Sequence, residues 1–273
     1  RPQGEAGGAS VIRSTLHNHT TLCDGRSTPE EMALAAVAAG LTDLGFSAHS
    51  PAPFDTGSLR SEAEYRRTIL GLRERYAGTL RIVLGMEQDY LAPVARRSDY
   101  DFLIGSVHFL KGGGEYLSVD WDEERFAALL AATGGPENAI RAYYASVADM
   151  VQTQRPDVVG HFDLIGKFNA DERFFREDEA YRRAALEALD VVIGSECVPE
   201  LNASGFRWRG RPYPDGFLLR RLREKNRLLT LQADCHDAQA LLRFIPEAAE
   251  VLRQFGFRST LQWIDGSWQE VGL

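Results

Sequence analysis

Apolar residues along the chain fall into short blocks that alternate with longer amphipathic stretches, a rhythm that predicts repeated strand–helix units. The first block runs through Val11 and Ile12 to Leu16 and reads as a strand. Further strands are predicted over 41–46, 80–84, 101–104, 156–159, 199–202 and 228–232. Between them, helices are expected near 62–76, 122–130, 137–153, 178–192 and 215–225. The helix that begins at Pro29 is the best marked. Proline suits its first position, Ser27 or Thr28 can cap it, Glu30 and Glu31 favour its positive end, and Gly40 stops it. The glycines at 112–114 and residues 116–121 suggest a loop or small hairpin, and 257–263 an edge strand or hairpin after a last helix.

Repeated βα units imply parallel strands joined by right-handed crossovers, an α/β fold. Two arrangements suit that pattern. A closed, TIM-like barrel brings every strand C-terminus to one rim, whereas a doubly wound open sheet spreads them along a line. The polar residues favour the barrel. All six histidines lie at strand ends: His17 and His19, His49, His108, His161 and His236. On a strand, residues two apart share a face, so His17 and His19 can present their rings to one ion. A hydrogen-bonded structural role explains any one of these histidines. Six at equivalent ends, joined by Asp24, Glu87 and Asp234, point to metal binding.

Composition narrows the function. With 273 residues and 44% hydrophobic content the chain can bury one substantial core, expected as a single domain over 11–273 after a Gly/Ala-rich tail at 1–10. A net charge of −8 without a Lys/Arg block argues against nucleic-acid or anionic-membrane partners, and no apolar run is long enough to span a bilayer. Cys23, Cys197 and Cys235 are odd in number and lack CxxC spacing. They read as packing residues of a chain in a reducing cytoplasm. Oligomeric state is not encoded legibly.

The strings His17-x-His19, Asp24-Gly25, His49, Glu87, His108, His161 and Asp234-x-His236 resemble the successive motifs of the PHP (polymerase and histidinol phosphatase) superfamily, from residue 15 to about 236. The resemblance implies a distorted seven-stranded β/α barrel with two to three divalent ions, and the mixed nitrogen and oxygen donors favour Zn, Mn or Fe. It implies His17, His19, Glu87 and Asp234 at one metal, Glu87 bridging to a second held by His108 and His161, and Asp24, His49 and His236 at a third. Glu87, Asp234 and His236 are then the catalytic assignments. Such a charged centre would focus a phosphate monoester, with a hydroxide shared between ions attacking phosphorus. Residues 48–51, 105–110, 160–165, 200–207 and 213–214 most resemble the histidinol-phosphate phosphatases, which implies hydrolysis of L-histidinol phosphate in histidine biosynthesis. The pattern departs at Cys235, where Ala or Ser is expected, and in the loop from Lys111 to Tyr116.

Arg207, whose fork can grip phosphate, Lys111 and Ser106 are the expected substrate contacts, with Lys167 and Asn202 weaker candidates. Asp163, two residues past His161, is expected to orient that imidazole. Other PHP phosphoesterases acting on nucleotides or sugar phosphates, a non-catalytic metal-binding module and an amidohydrolase-type enzyme are the alternatives.

Overall fold

The computed structural model describes residues 12–273, so the expected tail and Val11 lie outside the described residues. Seven parallel strands form one sheet in the order β1 (Ser14–Thr15), β2 (Asp43–Phe46), β3 (Arg81–Asp89), β4 (Phe102–Ser106), β7 (Val158–Val159), β8 (Val198–Asn202) and β9 (Thr230–Gln232). The sheet curls so that its two edge strands meet. Cys235 N–H donates to His17 O at 3.1 Å and His19 N–H to Cys235 O at 2.8 Å, just beyond the ends of β9 and β1. Below that seam, the Gln232 side-chain oxygen accepts from Leu16 N (2.7 Å), Thr15 Oγ1 (3.1 Å) and His17 N (3.3 Å). A side chain thus replaces the ladder where β1 is too short to supply one. The result is a nearly closed barrel.

β3 is longer than its apolar block. Its first half pairs with β2 (Arg81–Leu84 opposite Asp43–Phe46) and its second with β4 (Gly85–Asp89 opposite Phe102–Ser106). The residues after β2 stay beside it, Glu87 N–H donating to Ala48 O and Ser50 N–H to Glu87 O, so Glu87 is held between two neighbours at the rim. Two small hairpins complete the sheet elements. β5 (Phe109–Gly112) and β6 (Glu115–Ser118) turn through Gly113 and Gly114, both at positive φ, as the glycine run predicts. β10 (Ser259–Ile264) and β11 (Ser267–Gly272) follow the last helix. The latter pair lies near the N-terminal ends of β1 and β9, where Leu261 N–H donates to Leu229 O and Arg13 N–H to the Gln262 side chain.

The helices α1 (Pro29–Ala38), α2 (Glu62–Arg75), α3 (Glu123–Ala132), α4 (Pro136–Thr153), α5 (Glu179–Ile193) and α7 (Phe217–Glu224) match the predicted helices within a few residues, and α8 (Ile245–Gln254) is the last helix, expected without bounds. Thr28 is the cap of α1: its hydroxyl accepts from Glu31 N while Glu31 returns a carboxylate to Thr28 N. The short α6 (Gly205–Arg209), directly after β8, was not expected. Among the described residues, no helix is long and apolar enough to cross a membrane.

Apolar residues separate into an outer layer between helices and sheet and a small cluster of Leu16, Val83, Phe102, Ile104 and Val158, against which Trp263 and Trp268 pack. Phe102 fits because residue 85 is glycine: a Cβ there would meet the Phe102 ring at 2.1 Å. We therefore expect Gly85→Ala to lower unfolding free energy by about 1–3 kcal/mol, the usual cost of overpacking. A urea midpoint unchanged from wild type would contradict this packing.

Candidate metal centre

Each strand delivers its polar residues where the backbone leaves the sheet. Glu87, near the end of β3, is 1% exposed, and its carboxylate is the hub. Oε2 lies 3.1 Å from His17 Nε2, 3.2 Å from His19 Nε2 and 3.3 Å from His49 Nδ1. Oε1 lies 2.9 Å from His161 Nε2 and 3.3 Å from His108 Nε2. Asp234 Oδ1 is 3.5 Å from both His17 Nε2 and His19 Nε2. Asp24 faces His19, His49 and His236 at 3.2–3.5 Å. All nine residues singled out as ligands therefore converge.

Their donor atoms form four overlapping groups: His19, Asp24, His49 and His236; His17, His19 and Asp234; His17, Glu87 and His161; and His49, Glu87 and His108. His161 and His108 thus approach Glu87 in the company of different histidines, and His19 faces two groups. The hydrogen bonding of this set suits cations. His17 Nε2, His19 Nε2 and Glu87 Oε2 are buried and face one another at 3.1–3.2 Å without a well-directed hydrogen bond. Leaving such groups without one costs about 1–3 kcal/mol each, a cost a coordinated ion removes.

Electrostatics point the same way. Burial opposes a charge on His17, yet Glu200, Glu87 and Asp234 outweigh it and hold its pKa well above the ordinary value. His19 is raised against its own burial by Asp234, Cys23 and Glu87, and His49 and His108 are raised chiefly by Glu87. Against their burial, the carboxyls of Glu87 and Asp234 are held well below the usual range, His17 being the leading neighbour of each. The arrangement thus favours positive charge among these imidazoles and negative charge on the carboxyls.

Other side chains fix these groups. Ser106 Oγ donates to Glu87 Oε1 at 2.7 Å. Ser204 Oγ and Asn202 Nδ2 each donate to Asp234 Oδ2 at 3.1 Å. Asp234 sits at φ 52°, a left-handed backbone that Asp tolerates better than most residues. Glu200, on β8, was not anticipated as a site residue. Its Oε1 accepts from His17 Nδ1 at 2.6 Å, and its Oε2 accepts from His161 N at 2.8 Å. Asp89, also unanticipated, accepts from His108 N at 2.8 Å. Both carboxylates sit within two residues of a polar partner on the same strand, Asn202 and Glu87, the spacing that also marks His17 and His19.

Three expectations are corrected. Ser106 is buried against Glu87, so it positions that carboxylate instead of meeting substrate. Lys111 is exposed on β5, its ammonium 5.2 Å from the Tyr116 ring centre, and does not line the cavity above the cluster. Asp163 does not orient His161; it is paired in the core with Arg209 at 2.8 Å. Arg207, by contrast, lines that cavity of about 620 Å³ with Lys167, Trp208, Tyr213 and Arg243, and stacks on Trp208. Among the cysteines, Cys23 brings its thiol within 3.6 Å of His19 Nδ1.

Because Glu200 fixes which nitrogen His17 presents, Glu200→Gln is expected to weaken metal affinity by about 10–100-fold. Chelator competition would measure it, and unchanged affinity would remove Glu200 from this role.

A parallel barrel with imidazoles and carboxylates gathered at its C-terminal rim is the framework of a metal-dependent enzyme. Residues 15–204 match the PHP domain, and the chain belongs to the PHP family. It is 32% identical to a "Probable histidinol-phosphatase" of Deinococcus radiodurans, covering 89% of this chain and 94% of that protein. With the "Histidinol-phosphatase" of Bacillus subtilis it shares 29% identity over 81% of this chain and 92% of the relative. The fold recurs in a Lactococcus lactis histidinol phosphate phosphatase crystallised with Zn, L-histidinol and phosphate: TM-score 0.67, 21% identity, 94% of this chain and 98% of that one. A Listeria monocytogenes structure superposes with TM-score 0.74 at 22% identity, covering 86% of this chain and 99% of that one.

Proposed function

We propose that this chain is a divalent-metal-dependent phosphomonoesterase that hydrolyses L-histidinol phosphate to L-histidinol and phosphate, as the names of its relatives say of them. The observation that carries the reading is the convergence of six imidazoles on three carboxylates, with buried donor atoms around Glu87 lacking a well-directed hydrogen bond. In this reading, His17, His19, Glu87 and Asp234 hold one ion. Glu87, His108 and His161 hold a second, and Asp24, His49 and His236 a third, each being Zn, Mn or Fe. Such ions supply Lewis-acid polarisation of phosphoryl oxygens and acidify water at neutral pH.

The protein's own groups do the positioning. Glu200 keeps His17 in one tautomer and orientation, while Ser106 and Ser204 aim the carboxylates of Glu87 and Asp234. Lys167 and Arg207 face the cavity with cationic donors suited to phosphate oxygens. The three cysteines are unpaired, which suits a reducing cytoplasm.

The test is phosphate release by metal-reconstituted protein from L-histidinol phosphate, nucleotides, sugar phosphates and p-nitrophenyl phosphate. We expect kcat/KM for L-histidinol phosphate to exceed the rest by at least about a hundredfold, roughly 2.7 kcal/mol of discrimination. Comparable rates on every ester would sink the histidinol assignment.

A further inference from the structure

The mouth above the metal-binding residues divides into two lobes that differ in their cations. The larger is the cavity of about 620 Å³ that carries Arg26, Arg207 and Arg243. The smaller, about 260 Å³, carries none of these arginines and is lined instead by Asp55, Gly57, Phe109 and Trp121. The lobes share Asp24, His49, His108, Asp120 and Lys167, so they meet over the cluster itself.

Lys167 stands in the wall between them. Its ammonium donates to the Asp120 main-chain oxygen at 2.7 Å and lies 3.2 Å from Asp120 Oδ2, with the Trp208 ring centre 4.5 Å away. Lys167 engages one carboxylate oxygen of Asp120, and Gly57 N–H engages one of Asp55 at 2.8 Å. The second oxygen of each carboxylate has no hydrogen bond among the described residues. Trp121 is 50% exposed, with the Arg125 guanidinium 4.9 Å from its ring centre.

Across the mouth the sequence of groups is therefore acid and aromatic, then Asp120 with Lys167, then arginine. A phosphate monoester reacting over the shared floor is drawn toward the arginine side and repelled from Asp55. The smaller lobe then offers the leaving alcohol a compartment below the usual range for drug-sized ligands, walled by carboxylates, aromatic rings and Lys167. The carboxylates favour a compact cation by ion pairing, and Trp121, which already meets the Arg125 guanidinium, is a ring that attracts cations.

From this charge division we infer that the smaller lobe recognises the positively charged end of the leaving alcohol. Asp55 and Asp120 are then its specificity-determining residues and Trp121 its aromatic wall. The inference rests on the phosphomonoesterase reading above and adds which residues select the alcohol.

The experiment compares kcat/KM of the metal-loaded enzyme on L-histidinol phosphate, phosphoethanolamine, p-nitrophenyl phosphate and phosphoglycolate. Asp55→Asn and Asp120→Asn should each shrink the ratio of cationic to neutral ester by at least about tenfold, the worth of one charge-assisted hydrogen bond. Asp55→Lys should move preference toward phosphoglycolate, a gain that a merely destabilised variant cannot give. Equal losses on all esters, or no shift toward phosphoglycolate in Asp55→Lys, would overturn the assignment. The two readings fail separately. A wild type that favours both cationic esters equally over p-nitrophenyl phosphate keeps the lobe and loses the histidinol assignment. A wild type specific for L-histidinol phosphate whose ratios ignore both aspartates does the reverse.

Discussion

Glu87→Gln is expected to lower kcat/KM for L-histidinol phosphate by at least about a thousandfold, some 4 kcal/mol of transition-state stabilisation. The reason is geometric. Glu87 brings its two oxygens within 2.9–3.3 Å of five of the six histidines, and only His236 lies outside its reach. Gln has nearly the same shape, so the Ser106 contact and the barrel packing survive, but the charge that balances the surrounding cations is gone. Bound metal, measured by elemental analysis, should fall along with the rate. A Glu87→Gln protein that keeps both full metal content and a tenth of wild-type activity would show that the hub lies elsewhere. An equally inactive protein with full metal would confine Glu87 to the chemical step.

The reach of the sequence follows from what each side chain depends on. Strand ends are local: an apolar block, a small residue, then a polar one. His17, His49, His108, His161 and His236 were therefore legible as one rim once parallel strands were inferred. The nine-residue set itself came from that rim together with the family resemblance. Glu200 was overlooked because no histidine stands beside it in sequence; its partner His17 is 183 residues away. Asp163 was misassigned for a similar reason. Its spacing from His161 suits an orienting carboxylate, but Arg209, 46 residues on, claims it. Lys111 depended on which way a hairpin turns, and Ser106 on which neighbour its hydroxyl meets first. The closure through Gln232, and the staggered pairing of β3 with its two neighbours, are properties of the closed sheet, which a strand-by-strand reading cannot contain.

Stripping the metal should abolish turnover, by at least about a thousandfold, and also reverse the slope of stability against pH. In the metal-free protein the raised pKa values of His17, His19, His49 and His108 contribute stability that is fully present below about 6.5, the ordinary histidine value, and is lost as pH rises through their folded values. The depressed carboxyls of Glu87, Asp234 and Asp24 contribute in the opposite sense, present above about 4 and lost as pH falls. Metal-free stability should therefore peak in the mildly acidic range and decline toward pH 8. Metal ions need the same imidazoles unprotonated. Their affinity rises as protons leave, and so does the stabilisation they confer through binding the folded state alone. Thermal denaturation of the metal-loaded and chelated forms between pH 5.5 and 8 should give Tm curves that diverge with increasing pH. Adding Zn, Mn or Fe back should close the gap and restore phosphate release. Parallel curves would mean that the histidines do not exchange protons for metal, and activity that survived chelation would place the chemistry outside this cluster.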